Sequence, residues 1–175
     1  MMQDGGGGSW SISSANRRGH VARVGGDAVF EVADSIGARV AAGQPVRWSP
    51  LFEVGVMEID QDHAQLFDRL NRLADEVVSP GERGVGLTAA MDEFRDAIGS
   101  HFEREEGLFQ SLSPSLEQVH EEGHRHFNDG VARLAAALTG EDRDAARSAL
   151  ATLAALFVQH ILVDDKQLFG AVRGL

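Results

Sequence analysis

LEQVHEEGHRHFNDGVARLAAAL, residues 116–138, reads as one face of an amphipathic helix. Leu116, His120, Gly123 with His124, Phe127, Val131, Leu134 and Leu138 recur at alternating spacings of four and three. That is the period of a helix burying a single stripe. Ser113-Pro114 ahead of it supplies a cap residue and a proline at the first helical position, and Gly140 ends it.

The same rhythm runs outward in both directions. A first helix over about Asp60–Val78 carries Ile59, His63, Leu66, Leu70, Leu73 and Val77, and stops at Ser79-Pro80-Gly81. A second, from Thr88 as cap to about Leu112, carries Met91, Phe94, Ile98, His101, Glu105, Leu108 and Leu112. A fourth, from Asp142 to about Val172, turns Leu150, Leu153, Phe157, His160 and Leu168 inward. Short connections join them, and no strand alternation competes. The pattern predicts an all-α chain, an antiparallel up-down-up-down four-helix bundle over residues 46–175. Residues 1–45 read as a flexible N-terminal extension: Gly5–Gly8 is linker chemistry, and four arginines balance four acids. Within it, Ala28–Ala42 (Val29, Phe30, Val32, Ile36, Val40) leaves room for one short helix started by Asp27.

Composition narrows the chemistry. The chain has 175 residues, 43% of them hydrophobic, enough for one domain with a real core. Its net charge of -11 argues against nucleic acid and anionic membranes as partners. With no cysteine, disulfides, thiol catalysis and thiolate metal sites are excluded. No uninterrupted apolar run approaches the roughly 20 residues of a membrane span, and the N-terminus lacks a signal peptide's apolar stretch. A cytoplasmic protein is expected.

The seams carry histidines where leucines belong. His63, His101, His120, His124 and His160 occupy core positions on all four predicted helices. Glu105 lies one turn after His101, and Asp164-Asp165 follow His160. Each buried polar group without a partner costs roughly 1–3 kcal/mol, so something must satisfy them together. The i,i+4 pairs His101/Glu105 and His120/His124 place two side chains about 6 Å apart on one helix face. Imidazole with carboxylate and no sulfur suits iron, manganese or zinc. Five imidazoles and two carboxylates exceed one tetrahedral zinc, so two bridged ions, iron first among candidates, are the reading from the residues. His20 and His126 fall off the seams.

Two motifs compete. His120-Glu121-Glu122-Gly123-His124 matches H-E-x-x-H, the zinc metalloprotease string, with Glu121 as the general base. That reading leaves His63, His101, Glu105 and His160 unexplained. A non-metal phosphotransfer or interaction bundle explains one histidine and leaves four buried without reason. Two E-x-x-H strings, Glu117–His120 and Glu121–His124, fall on one helix, where ferritin-like di-iron proteins need two.

The whole set resembles the hemerythrins, most closely the bacterial single-domain bacteriohemerythrins, over residues 48–175. Trp48, Phe52-Glu53-Val54-Gly55-Val56 and Ile59-Asp60-Gln61-Asp62-His63 are similar to the family's aromatic loop and its first histidine. His101-Phe102-Glu103-Arg104-Glu105-Glu106 matches HF-x-x-EE. Pro114 stands six residues before the H-x-x-x-H of His120 and His124, and His160-Ile161-Leu162-Val163-Asp164-Asp165 matches HI-x-x-x-D.

The resemblance implies a binding protein rather than an enzyme. It would have an oxo- or hydroxo-bridged centre of two iron ions that binds dioxygen reversibly, as carrier, store or sensor. Nitric oxide or peroxide would be alternative ligands. It assigns His120, His124 and His160 to one iron, His63 and His101 to the other, and Glu105 and Asp165 as bridges. Helical geometry alone favours Asp164, because Asp165 lies about 100° further round; the family spacing selects Asp165. Two positions depart from the family: Leu156 where tryptophan is common, and Ser113 where an aromatic residue precedes the proline.

Overall fold

The computed structural model describes residues 26–78, 85–109 and 114–173, and within these the chain is helical without strands. The helices are α1 (Gly26–Ala41), α2 (Met57–Val78), α3 (Val85–Phe109), α4 (Pro114–Thr139), α5 (Arg143–Gln159) and α6 (Lys166–Arg173). A short 3-10 turn, Pro50–Phe52, precedes α2, and a π-helical segment, His160–Asp165, joins α5 to α6. Residues 1–25 with His20, the breaker Ser79-Pro80-Gly81, and Leu112-Ser113 lie outside the described residues.

Helix α5 is central, packed against α1, α4 and α2, while α3 packs on α2 and α4. Phe67, Phe94, Phe127 and Phe157 are fully buried between them. Asp142 caps α5, its side chain accepting from the N–H groups of Asp144 and Ala145. Helix α2 begins at Met57, one turn earlier than the apolar rhythm suggested. The Asp60 carboxylate accepts from the N–H groups of Val54 (2.7 Å) and Gly55 (3.1 Å), folding the incoming loop back onto the helix. Gly55 turns there with φ +82, a conformation open to glycine. Helix α3 begins at Val85, so Thr88 lies within its first turns rather than at its cap.

The short helix for which the sequence left room over Ala28–Ala42 is α1, and it is seated on α5. Ala33, Ile36 and Val40 are buried, while Phe30 is 48% exposed. Burying side chains the size of Ile36 and Val40 contributes about 1.5–3 kcal/mol each, which favours docking over a free helix. The approach is close: a Cβ on Gly37 would meet the Ala151 carbonyl oxygen at 2.5 Å. The α3 seam ends differently from the expected one. Leu108 is 43% exposed and Phe109 is buried in its place, one turn after Glu105.

Arg143–Ala171 is long and apolar enough, by length and composition alone, to cross a membrane; 44% of that window is buried inside the protein. It includes the buried polar residues His160 and Asp165. Such groups are expensive in lipid, and packing against α1 and α4 makes this the core helix of the fold.

Candidate metal centre

The seven residues named from the sequence converge at one level of the bundle. His63 comes from α2, His101 and Glu105 from α3, His120 and His124 from α4, and His160 and Asp165 from the π segment. All are buried, at most 4% exposed. They form two groups, each with ligand-capable atoms within 4.8 Å of one another: Glu105, His120, His124 and His160; and His63, His101, Glu105 and Asp165. Glu105 belongs to both.

The distances show convergence on shared points. Glu105 Oε2 lies 3.1 Å from His124 Nε2, 3.2 Å from His120 Nε2 and 3.5 Å from His101 Nε2. Asp165 reaches the other two histidines, with Oδ2 3.1 Å from His63 Nε2 and Oδ1 3.1 Å from His160 Nε2. Neither Asp165 contact has hydrogen-bond geometry. Nε2 of His63, His101 and His160, Glu105 Oε1 and both Asp165 oxygens are buried without a hydrogen-bond partner. Buried polar atoms are normally satisfied, so this many orphans in one cluster make a donor set suited to a cation.

The π segment resolves which aspartate faces inward. In an α-helix the residue five positions on has rotated away from the first. A π turn closes i to i+5, so Asp165 comes over His160 and into the cluster. Asp165 is 0% exposed. Asp164 goes to the other edge of the same imidazole, its Oδ2 3.1 Å from His160 Nδ1. The family spacing passed over Asp164 in favour of Asp165 and gave it no part; it is a hydrogen-bond partner of a cluster histidine. The i,i+4 spacing from His160 was the signal available for it.

Burial pushes the His63 and His101 imidazoles down to about 4 and about 3, so both are neutral near pH 7 with lone pairs to offer. Burial works to raise the Glu105 carboxyl, but hydrogen bonding from His120 and His124 holds it well below the usual range. Burial pushes Asp165 up to about 8, against the pull of His160. His160 is itself held well above its ordinary value, despite burial, by Asp165, Asp164 and Glu105.

Aromatic rings wall the cluster from water. Trp48 and Phe157 lie 5.9 and 6.3 Å from the His63 ring, and Phe52 and Phe67 pack behind them. Phe102 stacks on His124 at 3.6 Å, and Phe109 meets His120 edge-on at 5.0 Å. The competing H-E-x-x-H reading is not favoured. Glu121 is exposed on α4, while both histidines of that string turn toward Glu105. His126 is exposed and off the seam, as the sequence suggested.

Comparison with known proteins points the same way. The family profile described as "Hemerythrin HHE cation binding domain" matches residues 54–172. Hemerythrin-like proteins of Naegleria gruberi and Naegleria fowleri are each 30% identical over 83 residues, which is 47% of this chain and 63% of theirs. The chain therefore spans less than two thirds of the length of these curated relatives. No solved structure matches it.

Proposed function

We propose that this chain, which belongs to the hemerythrin HHE cation-binding family, holds two iron ions in its buried cluster and binds dioxygen there reversibly. The observation that carries the proposal is the double group of ligand atoms sharing Glu105, lined by buried nitrogens and oxygens that lack partners. The donor set fits. Imidazole and carboxylate without sulfur suit iron, and seven donors are more than one ion needs.

In this reading His120, His124 and His160 would hold one ion and His63 and His101 the other, and Glu105 and Asp165 would be the carboxylate ligands of the pair. Two bound ferrous ions would supply the electrons that dioxygen takes up and returns. The chain's own part is to orient and to exclude water. The second group has two histidines where the first has three, so an ion held there would be one protein donor short and could take a small ligand. Trp48, Phe52, Phe67 and Phe157 keep that side apolar, so a bound ligand is not displaced by solvent protons. Nitric oxide or peroxide would fit the same space.

The finer architecture belongs to the proposal as well: an antiparallel up-down-up-down bundle of α2, α3, α4 and α5–α6, of the bacterial single-domain type, acting as a binding protein rather than an enzyme. Anaerobic titration of the metal-free full chain with ferrous iron tests the reading. Saturation at two ions per chain is expected. Saturation at one, or a preference for a single zinc, would overturn it.

A further inference from the structure

His160 is held at both edges by consecutive residues. Asp165 Oδ1 approaches Nε2 at 3.1 Å from inside the cluster, and Asp164 Oδ2 lies 3.1 Å from Nδ1 on the outside. The π turn allows this, because it closes at i+5 while leaving i+4 beside the ring. Asp164 is 24% exposed on its side chain, so one face of it meets solvent while the other meets the imidazole.

The neighbouring helix makes room for this pair. A Cβ on Gly123 of α4 would lie 2.7 Å from Asp164 Oδ2 and 3.2 Å from His160 Nδ1. The glycine inside the H-E-E-G-H string thus has a spatial reason that the motif itself does not supply. Two other carboxylates approach outer nitrogens of cluster histidines. Asp62 is 3.7 Å from His101 Nδ1 and also pairs with Arg104, and Glu106 is 3.5 Å from His124 Nδ1 and 58% exposed. Of these three carboxylates, Asp164 is the one with hydrogen-bonding distance and geometry.

We propose that Asp164 is a positioning residue of the centre: it accepts a hydrogen bond from Nδ1–H of His160, fixes the tautomer that turns the Nε2 lone pair inward, and strengthens that nitrogen as a ligand, with Gly123 keeping the space open. The inference deepens the proposed metal centre and rests on it. A carboxylate on the far nitrogen of a ligating imidazole raises its basicity, and losing such a partner costs roughly 10–100-fold in metal affinity. A negative charge there also favours the more highly charged metal, so it lowers the reduction potential of the centre.

The test uses the full chain loaded with ferrous iron. Its readouts are the rate of iron loss to an external chelator, the reduction potential, and the thermal midpoint of the metal-free form. Asp164→Ala should release iron from one position at least 10-fold faster and raise the potential, with the metal-free chain still folded. Asp164→Asn keeps an acceptor without the charge; it should restore much of the iron retention while the potential stays raised. Gly123→Ala should reproduce Asp164→Ala, and the double variant should be no worse than either alone, because both break one hydrogen bond. Wild-type release rates and potential in Asp164→Ala or in Gly123→Ala overturn the proposal, as does additive loss in the double variant. If Asp164→Ala fails to fold, Asp164→Asn and Gly123→Ala decide by the same readouts. A wild-type chain that takes up no iron overturns the metal reading itself, and is told apart because no variant comparison is then needed.

Discussion

Alanine in place of glycine should have opposite effects at two helical positions, and the difference tests whether α1 is seated as described. In an exposed helix interior the change gains about 1 kcal/mol of propensity. Gly99 in α3 is such a case, since a Cβ there meets nothing within 4 Å. Gly37 in α1 is not. Its Cβ would lie 2.5 Å from the carbonyl oxygen and 3.3 Å from the carbonyl carbon of Ala151, and these backbone atoms cannot rotate aside. Helix α1 must back away from α5, loosening the burial of Ala33, Ile36 and Val40. Overpacking of this kind costs about 1–3 kcal/mol, enough to cancel the propensity gain and leave a net loss of up to about 2 kcal/mol. In a chain of this size each 1 kcal/mol moves the melting midpoint by about 2–4 °C. Thermal denaturation followed by circular dichroism should therefore place Gly99→Ala above the wild type and Gly37→Ala below it. If Gly37→Ala gains as much as Gly99→Ala, α1 does not pack on α5 at this crossing and is closer to the free tail its composition suggests.

Glu105→Gln perturbs the one residue common to both ligand groups. It should lower iron content at both positions after dialysis against chelator, whereas His63→Ala should empty only one, as metal analysis per chain will show. Glu121→Gln should leave iron content unchanged, because that side chain is exposed; peptide hydrolysis by the wild type that this variant abolishes would revive the protease reading. For the metal-free chain, stability should peak near pH 6.5. Between pH 6.5 and 4.5 the unfolded chain protonates His63 and His101, which the fold holds neutral to about 4 and about 3, while Asp165, held up at about 8, keeps a proton the unfolded chain lacks. Unfolding takes up almost no net proton at pH 6.5 and close to one at pH 4.5, so stability falls with acid by roughly 2 kcal/mol over that range; denaturant midpoints across pH check it. Above pH 6.5 the raised His160 and Asp165 work in the opposite direction, and stability falls as pH rises through their folded values.

The all-helical fold was legible because its signal is local and repeated. Leu66, Leu70, Leu73 and Phe94, Ile98 each mark a stripe that the structure buries. The cluster was legible for a related reason: a histidine at a core position of each of the four predicted helices is a conflict with burial that only a shared site resolves. What escaped was set by long-range packing or by a break in helical period. The seat of α1 depends on Ala151 and Ala155 of α5, small residues with no apolar signature of their own, more than a hundred positions away along the chain. The apolar pattern of Ala28–Ala42 was visible, but it did not say against which helix its face is buried. Asp165 could not be reached from a period of 3.6, because the π turn that brings it inward has no clear signal in His160–Asp165; the family spacing carried that information instead. Asp164 and Gly123 gain meaning only once α4 and the π segment lie side by side.

The measurement that bears most directly on the central claim is iron counted per chain together with the visible spectrum of the ferrous protein before oxygenation, after it, and again under vacuum. The account predicts two irons, a charge-transfer band that appears with oxygen, and its disappearance when oxygen is withdrawn. One metal per chain, or two irons that oxidise without giving a reversible band, would contradict it.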